Sequence, residues 1–319
     1  MRASVQSAGS RLASEFNNSV IQYSQSILSF ECSLPMNTKN LLCIAALMFS
    51  SFSFAEMEAA PAAAAPAIAD HELKAFHSVR VSMQRMLRSA DGQYFLDLYA
   101  GIWNPHGTLK DLKNQKSIAF KGMQKGDQLN LKSVSVDSMD ETATQYALEG
   151  KLNANTGQMP SLLTSADKAV NAQIAFEPAF KAVDKPVIVF KFYGLDGEQQ
   201  PYGKALKRVD IINKNNNAVM QSLTGFTAFA GSIGFLDINF DGYYDVVLAD
   251  TSENRKVEDK RFIYWMYNPK TQQFQRSPQL EKIAGFPALQ GENKQIDFGA
   301  GQLYQVQNGL LNRLPQPAE

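Results

Sequence analysis

Apolar and polar side chains alternate along most of the chain from residue 71 onward, in short runs separated by Gly, Asn and Asp. Alternation with a period of two is typical of strands that bury one face. Only residues 73–86 and 161–170 also have a pattern that is compatible with a helix. Because many short strands at regular spacing form sandwiches, barrels or propellers, the pattern predicts an all-β protein.

The strand candidates fall into two groups. The first group contains 78–86, 93–101, 117–123, 128–136, 144–153 and 171–180, with the turn QKGD indicating a hairpin. The second group begins with VIVFKFYG, includes LEKIAG (280–285) and ends with LYQVQNGLL. We expect one propeller-like body of short antiparallel strands over 71–319, with a double β-sandwich as the alternative. The DKPV segment leaves open a division into lobes 71–183 and 184–319.

The residues ahead of this body have a different composition. From Met36, a lysine, an apolar run over 41–52 and the small-x-small triplet Ser-Phe-Ala predict a signal peptide over 36–55. Its apolar run is shorter than the roughly 20 residues of a membrane span. Residues 1–35 are interpreted as an over-long gene start, and the Ala/Pro-rich residues 56–70 as a flexible spacer. We therefore expect an exported, periplasmic protein without a membrane span.

Charge and cysteine content narrow the function further. The chain has 31 basic and 31 acidic residues, so no overall field attracts nucleic acid or anionic lipid. Both cysteines, Cys32 and Cys43, precede the predicted cleavage point, so the mature chain would have no disulfide, thiol nucleophile or cysteine-bound zinc. The three histidines, at 71, 77 and 106, have no ligand spacing, and no catalytic triad or phosphate loop occurs. We predict a protein that is not an enzyme.

The segment GFLDINFDGYYDVVLAD, residues 234–250, places oxygen-bearing side chains at alternate positions. Calcium takes about 6 to 8 oxygen ligands, and a glycine at the sixth position of such a loop permits its sharp bend. An Asp/Asn/Gly-rich turn without metal is the simpler interpretation. Catalytic carboxylates are the third, although acids folded around calcium would not face a substrate. The predicted ligands are Asp237, Asn239, Asp241, the Tyr243 carbonyl and Asp245, with Gly242 at the bend.

The loop differs from the helix-loop-helix calcium motif at its twelfth position. Leu248 occupies that position, where the motif requires a bidentate glutamate. The flanking residues SIGFL and YDVVLAD also have the pattern of strands. The sequence therefore favours a D-x-[DN]-x-D-G-x-x-D loop that joins two strands.

Two later segments are candidate binding surfaces. The first, RFIYWMYNPKTQQF, is an aromatic strand in which Tyr264 and Met266 share one face and Trp265 and Tyr267 the other. Such a stripe packs in a β core more often than it binds a ligand, but an exposed face could hold a sugar or a protein. The second, GAGQLYQVQNGLL, has the pattern of strand, loop and strand, with Tyr304 packing inward in the simplest interpretation.

The chain resembles exported bacterial β-proteins related to periplasmic lysozyme inhibitors and to calcium-dependent immunity proteins that guard against secreted peptidoglycan-hydrolase toxins. The resemblance covers most of residues 75–314 and is strongest from 206 onward. It rests on LDINFDGYYDVVLAD, FIYWMYNPKTQQF, SPQLEKI and YQVQNGLL. It implies an all-β, propeller-like fold with calcium held by Asp237, Asn239, Asp241, Tyr243 and Asp245.

Inhibitors of this type often present a Ser-Gly-x-x-Tyr loop to the muramidase cleft. The matching residues here are Ala300-Gly301-Gln302-Leu303-Tyr304, in which alanine replaces the serine hydroxyl. The resemblance implies a calcium-stabilised inhibitor or immunity protein against a lysozyme-like peptidoglycan hydrolase, and we predict that it contacts its partner through Ala300, Gly301, Tyr304 and Trp265. The alternative is a structural or carbohydrate-binding β-module of the cell envelope that uses the aromatic strand.

Overall fold

The computed structural model describes residues 72–101, 104–134, 145–252 and 254–315. These residues contain twenty-one strands, two short 3-10 helices (Pro201–Gly203 and Val257–Asp259) and one α-helical turn. The predicted all-β class with many short, mainly antiparallel strands is therefore confirmed. The predicted start segment 1–35, signal peptide 36–55 and spacer 56–70 lie outside the described residues. No helix in the described part is long and apolar enough to cross a membrane.

A closed antiparallel barrel of eight strands forms the first half of the body. After the short β1 (Lys74–Phe76), its strands are β2 (Arg80–Ser89), β3 (Tyr94–Ala100), β4 (His106–Asp111), β5 (Lys116–Lys125), β6 (Gln128–Ser133), β7 (Tyr146–Lys151), β8 (Met159–Ser165) and β9 (Asn171–Pro178). Each strand pairs with the next, and β9 pairs back with β2 at Leu87–Ser89, which closes the barrel.

Alternating apolar positions fill this barrel. In β6, for example, Leu129 and Leu131 are buried while their neighbours point outward. Leucines and two phenylalanines from all eight strands form one core cluster. A barrel of eight strands is just wide enough to be filled by side chains, so this cluster is a packed interior.

The remaining strands form three further groups. β10 (Ile188–Asp196), β11 (Lys204–Asn213), β12 (Val219–Leu223) and β13 (Ala228–Phe229) make a sheet with β1 at its edge. β14 (Ser232–Leu236), β15 (Asp245–Ala249), β16 (Phe262–Asn268) and β17 (Gln273–Arg276) form an antiparallel meander. β18 (Ala288–Gln290), β19 (Gln295–Asp297), β20 (Leu303–Gln307) and β21 (Leu310–Arg313) form a second four-stranded meander. Four-stranded units of this kind are also the blades of propellers.

Strand β2 connects the barrel to the first meander. Along one edge, its residues 80–83 pair in parallel with β14, and its residues 87–89 pair with β9. Along the other edge, β2 pairs with β3. The barrel and the meander are consequently parts of one twelve-stranded sheet.

The central strands of the meander, β15 and β16, bury side chains on both of their faces. Val246, Leu248 and Tyr267 join a core with the β10–β12 sheet, whereas Val247 and Tyr264 join a core with the terminal meander. The predicted division of the aromatic strand into two faces is confirmed, since Trp265 packs with the first core and Met266 with the second. Because both faces of β15 are covered, its residues after Asp245, VVLA, form a continuous apolar run.

Some local expectations were confirmed and others were wrong. Residues 73–86 and 161–170, where the pattern left a helix or a strand open, contain β1, β2 and β8 and no helix, so the strand predicted over 78–86 is confirmed. LEKIAG, predicted as a strand, overlaps α1 (Pro278–Glu281), because Pro278 at the first helical turn favours a helix start and Leu280 is buried. Strands β4 and β8 were not among the candidates. In β4, Gly107 interrupts the alternation of apolar and polar residues. Glycine is needed there because a Cβ would lie 2.5 Å from the Asp97 carbonyl oxygen.

Candidate calcium loop and candidate partner-binding loop

The acidic loop joins two paired antiparallel strands, as predicted from its flanks. β14 ends at Leu236, which pairs with Asp245 at the start of β15. Gly242 has a φ of 90°, a conformation that L side chains rarely adopt. A Cβ at this position would also lie 2.7 Å from the backbone nitrogen of Ala182. Glycine is therefore required both by the bend and by the chain packed against it.

Asp237 organises the turn. Its carboxylate, which is only 3% exposed, accepts hydrogen bonds from the backbone N–H groups of Asp241 (3.0 Å) and Gly242 (2.9 Å). Asp241 in turn accepts hydrogen bonds from the Tyr243 backbone N–H (2.9 Å) and the Asn239 side-chain amide (2.8 Å). The side chains predicted at loop positions 1, 3 and 5 are thus brought together.

Asp245 fixes the loop to the strand behind it. The side chain is 1% exposed, and its two oxygens accept hydrogen bonds from the backbone N–H groups of Ile238 (2.9 Å) and Tyr267 (2.8 Å). Tyr243, whose carbonyl is a predicted ligand, stacks its ring 5.3 Å from that of Tyr267 and donates its hydroxyl to the Val183 carbonyl. The loop is therefore anchored on both sides.

The loop concentrates buried negative charge. Burial, with a contribution from Asp241, raises the pKa of Asp237 to about 7, and burial raises the pKa of Asp245 well above its usual range. Lys185 partly offsets this charge at Asp237. Burial of the Lys185 ammonium group, followed by repulsion from Arg85, lowers the pKa of Lys185 to about 8. The rest of the Lys185 side chain is exposed to solvent, so the residue as a whole counts as exposed.

The donor set fits a hard cation. The Asn239 Oδ1 atom is buried and has no hydrogen-bond partner among the described residues. An unpaired buried acceptor beside buried carboxylates is what an oxygen-coordinated cation would satisfy. No group of three or more His, Cys, Asp and Glu side chains placed to hold a metal occurs in the described part. A calcium shell here would consequently need the Asn239 amide and the Tyr243 carbonyl as well as carboxylates.

The second candidate site is the turn between β19 and β20. Gly299, Ala300 and Gly301 are exposed and have consecutive positive φ angles of 80°, 50° and 72°. The base of the turn is fixed, because Phe298 N–H donates to the Gln302 carbonyl (3.0 Å) and Gly299 N–H to the Asp297 carboxylate (2.7 Å). Residues 299–301, called the tip below, are thus an ordered and exposed feature.

The other two predicted partner-binding residues are strand residues outside the tip. Tyr304 is half-buried on β20, where its ring packs edge-on against Phe298 at 5.5 Å. Trp265 is a half-buried residue of β16 whose indole nitrogen is buried and has no hydrogen-bond partner within the described ranges. Its neighbours Tyr264 and Tyr267 are buried. The aromatic strand is therefore mostly core, as its simpler interpretation predicts.

Two features near these sites were not predicted from the sequence. One is Lys185, which lies in the connection between β9 and β10 and whose only sequence signal was a possible lobe boundary. The other is a buried ion cluster in which Lys110 contacts Glu292 (2.5 Å) and Asp97 (3.5 Å). The cluster joins the barrel to the turn between β18 and β19, because its residues come from β3, β4 and that turn.

Comparison of the chain with protein-family models, with curated proteins and with solved structures found no match. The resemblance to lysozyme inhibitors and immunity proteins stays a prediction. What the two sites can do must be argued from their residues and geometry.

Proposed function

We propose that this protein acts by binding, as an exported, calcium-stabilised inhibitor or immunity protein directed at a lysozyme-like peptidoglycan hydrolase. The observation that carries the proposal is the tip at 299–301, an exposed and ordered turn at the end of a packed sheet. It coincides with the segment through which inhibitors of the resembled family engage a muramidase cleft.

The tip is held in a defined backbone conformation. An L-residue in the left-handed region costs roughly 1–2 kcal/mol, and eleven other non-glycine residues of the described part share this conformation, so it fixes the shape of the tip without marking it as a site. Ala300 adopts this conformation at an exposed position. A turn held in one shape before binding loses little conformational entropy on insertion into a cleft.

The aromatic strand supports the alternative function less well. A sugar-binding platform needs a flat aromatic face exposed to solvent, and Tyr267 is only 5% exposed while the Trp265 indole nitrogen is buried. These side chains contribute apolar packing between two sheets. We therefore favour inhibition over a carbohydrate-binding module of the envelope.

Calcium in this proposal braces the scaffold. Asp237, Asn239, Asp241, the Tyr243 carbonyl and Asp245 would hold the ion, which would supply positive charge to neutralise the carboxylates. The chain's own contribution is to hold these oxygens together through the Asp237 and Asp245 hydrogen bonds. Because Asp245 also accepts a hydrogen bond from β16, the bound loop would stiffen the meander.

The test is a cell-wall lysis assay with a panel of muramidases and the protein starting at Glu56, in calcium or chelator. Gly299→Gln should reduce inhibition, because the added side chain projects from the tip. Gly309→Gln is the matched control: both glycines have positive φ (80° and 76°) and open space around an added Cβ, but Gly309 lies in the turn between β20 and β21. Equal inhibition by both variants, or no inhibition of any muramidase by the wild type, would refute the proposed role.

A further inference from the structure

The connection between β9 and β10, residues 179–187, packs directly on the acidic loop. The Phe180 ring lies 5.3 Å from that of Phe240, and the backbone at Ala182 touches Gly242 so closely that a Cβ there would not fit. The Tyr243 hydroxyl donates to the Val183 carbonyl. These contacts place residue 185 at the rim of the loop.

Lys185 brings a positive charge to this rim. Its Nζ atom lies 3.5 Å from the centre of the Tyr244 ring, which is a favourable cation–π distance. Tyr244 lies in the chain between two predicted ligands, Tyr243 and Asp245, so the ring contact fixes the ammonium group beside the loop. At that position its positive charge favours the ionised carboxylates of Asp237 and Asp241.

A fixed ammonium group changes the affinity of the loop for any added cation. Like charges repel with an energy that falls with distance and rises as the surroundings become less polar, and the repulsion doubles for a divalent ion. The Lys185 ammonium group therefore competes with an added cation for the carboxylates of the loop. The unpaired Asn239 Oδ1 atom shows that this competitor does not satisfy every oxygen of the loop.

We propose that Lys185 is a specificity-determining residue of the loop, which offsets its carboxylate charge without an ion and lowers its affinity for divalent cations. This inference rests on the proposed calcium role. It implies that the loop needs a higher calcium concentration for loading than the same loop would need without the lysine. Removing the lysine charge should make the loop bind calcium more tightly.

The experiment measures the Kd for calcium by calorimetric titration of the chain starting at Glu56. Lys185→Met should lower the Kd by about tenfold or more. Lys185→Arg retains the charge and should bind calcium with a Kd near that of the wild type. Lys181→Met is the matched control, since Lys181 belongs to the same connection but pairs with Glu177 at 2.8 Å, and its Kd should stay within about twofold of the wild type.

The outcomes separate this inference from the proposed function. If the wild type binds calcium and Lys185→Met has the same or a higher Kd, Lys185 is not a competitor and the inference is wrong, while the calcium loop stands. If Lys185→Arg binds as tightly as Lys185→Met, the effect is not one of charge and the inference is also wrong. If no variant binds calcium, the proposed calcium role fails and the inference fails with it. The melting temperature of each variant in chelator checks that all are folded.

Discussion

Replacing Lys110 by methionine should destabilise the fold strongly at neutral and alkaline pH. The lysine is the shared partner of Asp97 and Glu292, and the three side chains are only 22%, 12% and 13% exposed. Glu292 Oε2 is buried without a hydrogen-bond partner in the described part of the chain, so little else offsets its charge. Removing one partner of a buried ion pair costs about 3–5 kcal/mol, because the remaining charge stays buried.

The pH dependence of this loss has a definite sign. Burial raises the pKa of Asp97 from 3.8 to about 7, and Glu292 adds to the rise, whereas Lys110 lowers it. The folded protein therefore binds the Asp97 proton more tightly than the unfolded chain does. The associated stability, at most about 4 kcal/mol, is present below about pH 4 and lost as the pH rises through about 7. Without Lys110 the Asp97 pKa should rise further, so protonation at pH 5 should reduce the loss in the variant.

Urea unfolding followed by tryptophan fluorescence at pH 5 and pH 8 measures both effects. Lys151→Met is the control, because Lys151 pairs with Asp127 at 3.4 Å on the surface, where both side chains are more than half exposed. An exposed pair contributes at most about 1 kcal/mol, at either pH. A loss below about 1 kcal/mol for Lys110→Met at pH 8, or an equal loss at both pH values, would refute the argument that buried charge decides the effect.

Three further predictions concern single sites. Tyr264→Phe should raise the free energy of unfolding by about 1 kcal/mol, because the fully buried hydroxyl has no partner among the described residues; a loss on denaturant unfolding would contradict this. If calcium binds as proposed, it should raise the melting temperature of the wild type and Asp241→Ala should abolish that rise; a variant still stabilised by calcium would exclude Asp241 as a ligand. Gly285→Ala should lower the free energy of unfolding by more than about 3 kcal/mol, because its Cβ would lie 1.7 Å from the Phe298 carbonyl oxygen at a φ of 115°. The control Gly309→Ala should lower it by about 1 kcal/mol, and similar urea midpoints for the two variants would show that the close contact at Gly285 is relieved.

The strands that flank the acidic loop could be predicted because their signal is local. Alternation, the bend glycine and the apolar run VVLA (246–249) each depend on a few neighbouring residues. Closure of the barrel has no such signal, since it depends on pairing between Leu87 and Pro178, and the parallel pairing of Ser232 with Arg80 joins residues that are even farther apart in sequence. Pairing between distant strands is decided by the whole core.

In the candidate sites, too, the sequence could predict features that depend on neighbouring residues but not those that depend on distant ones. The spacing of the acidic loop identifies residues that the structure does bring together through short hydrogen bonds. Lys185 was missed, because its relation to the loop arises only when the connection after β9 folds over Gly242. The sequence could show the two faces of the Trp265 strand but not that Trp265 is half-buried, and its role as a contact residue stays a prediction.

The double pairing along one edge of β2 has a consequence for how the protein folds. β14 and β9 occupy successive stretches of that edge, so neither the barrel nor the meander has a complete hydrogen-bond ladder until β2 is in place. Both partners are distant from β2 in sequence, and such contacts slow folding because a long loop must close first. We expect the barrel and the meander to unfold in a single cooperative transition, with the amides that pair β2 with β9 and β14 among the last to acquire hydrogen–deuterium exchange protection during refolding.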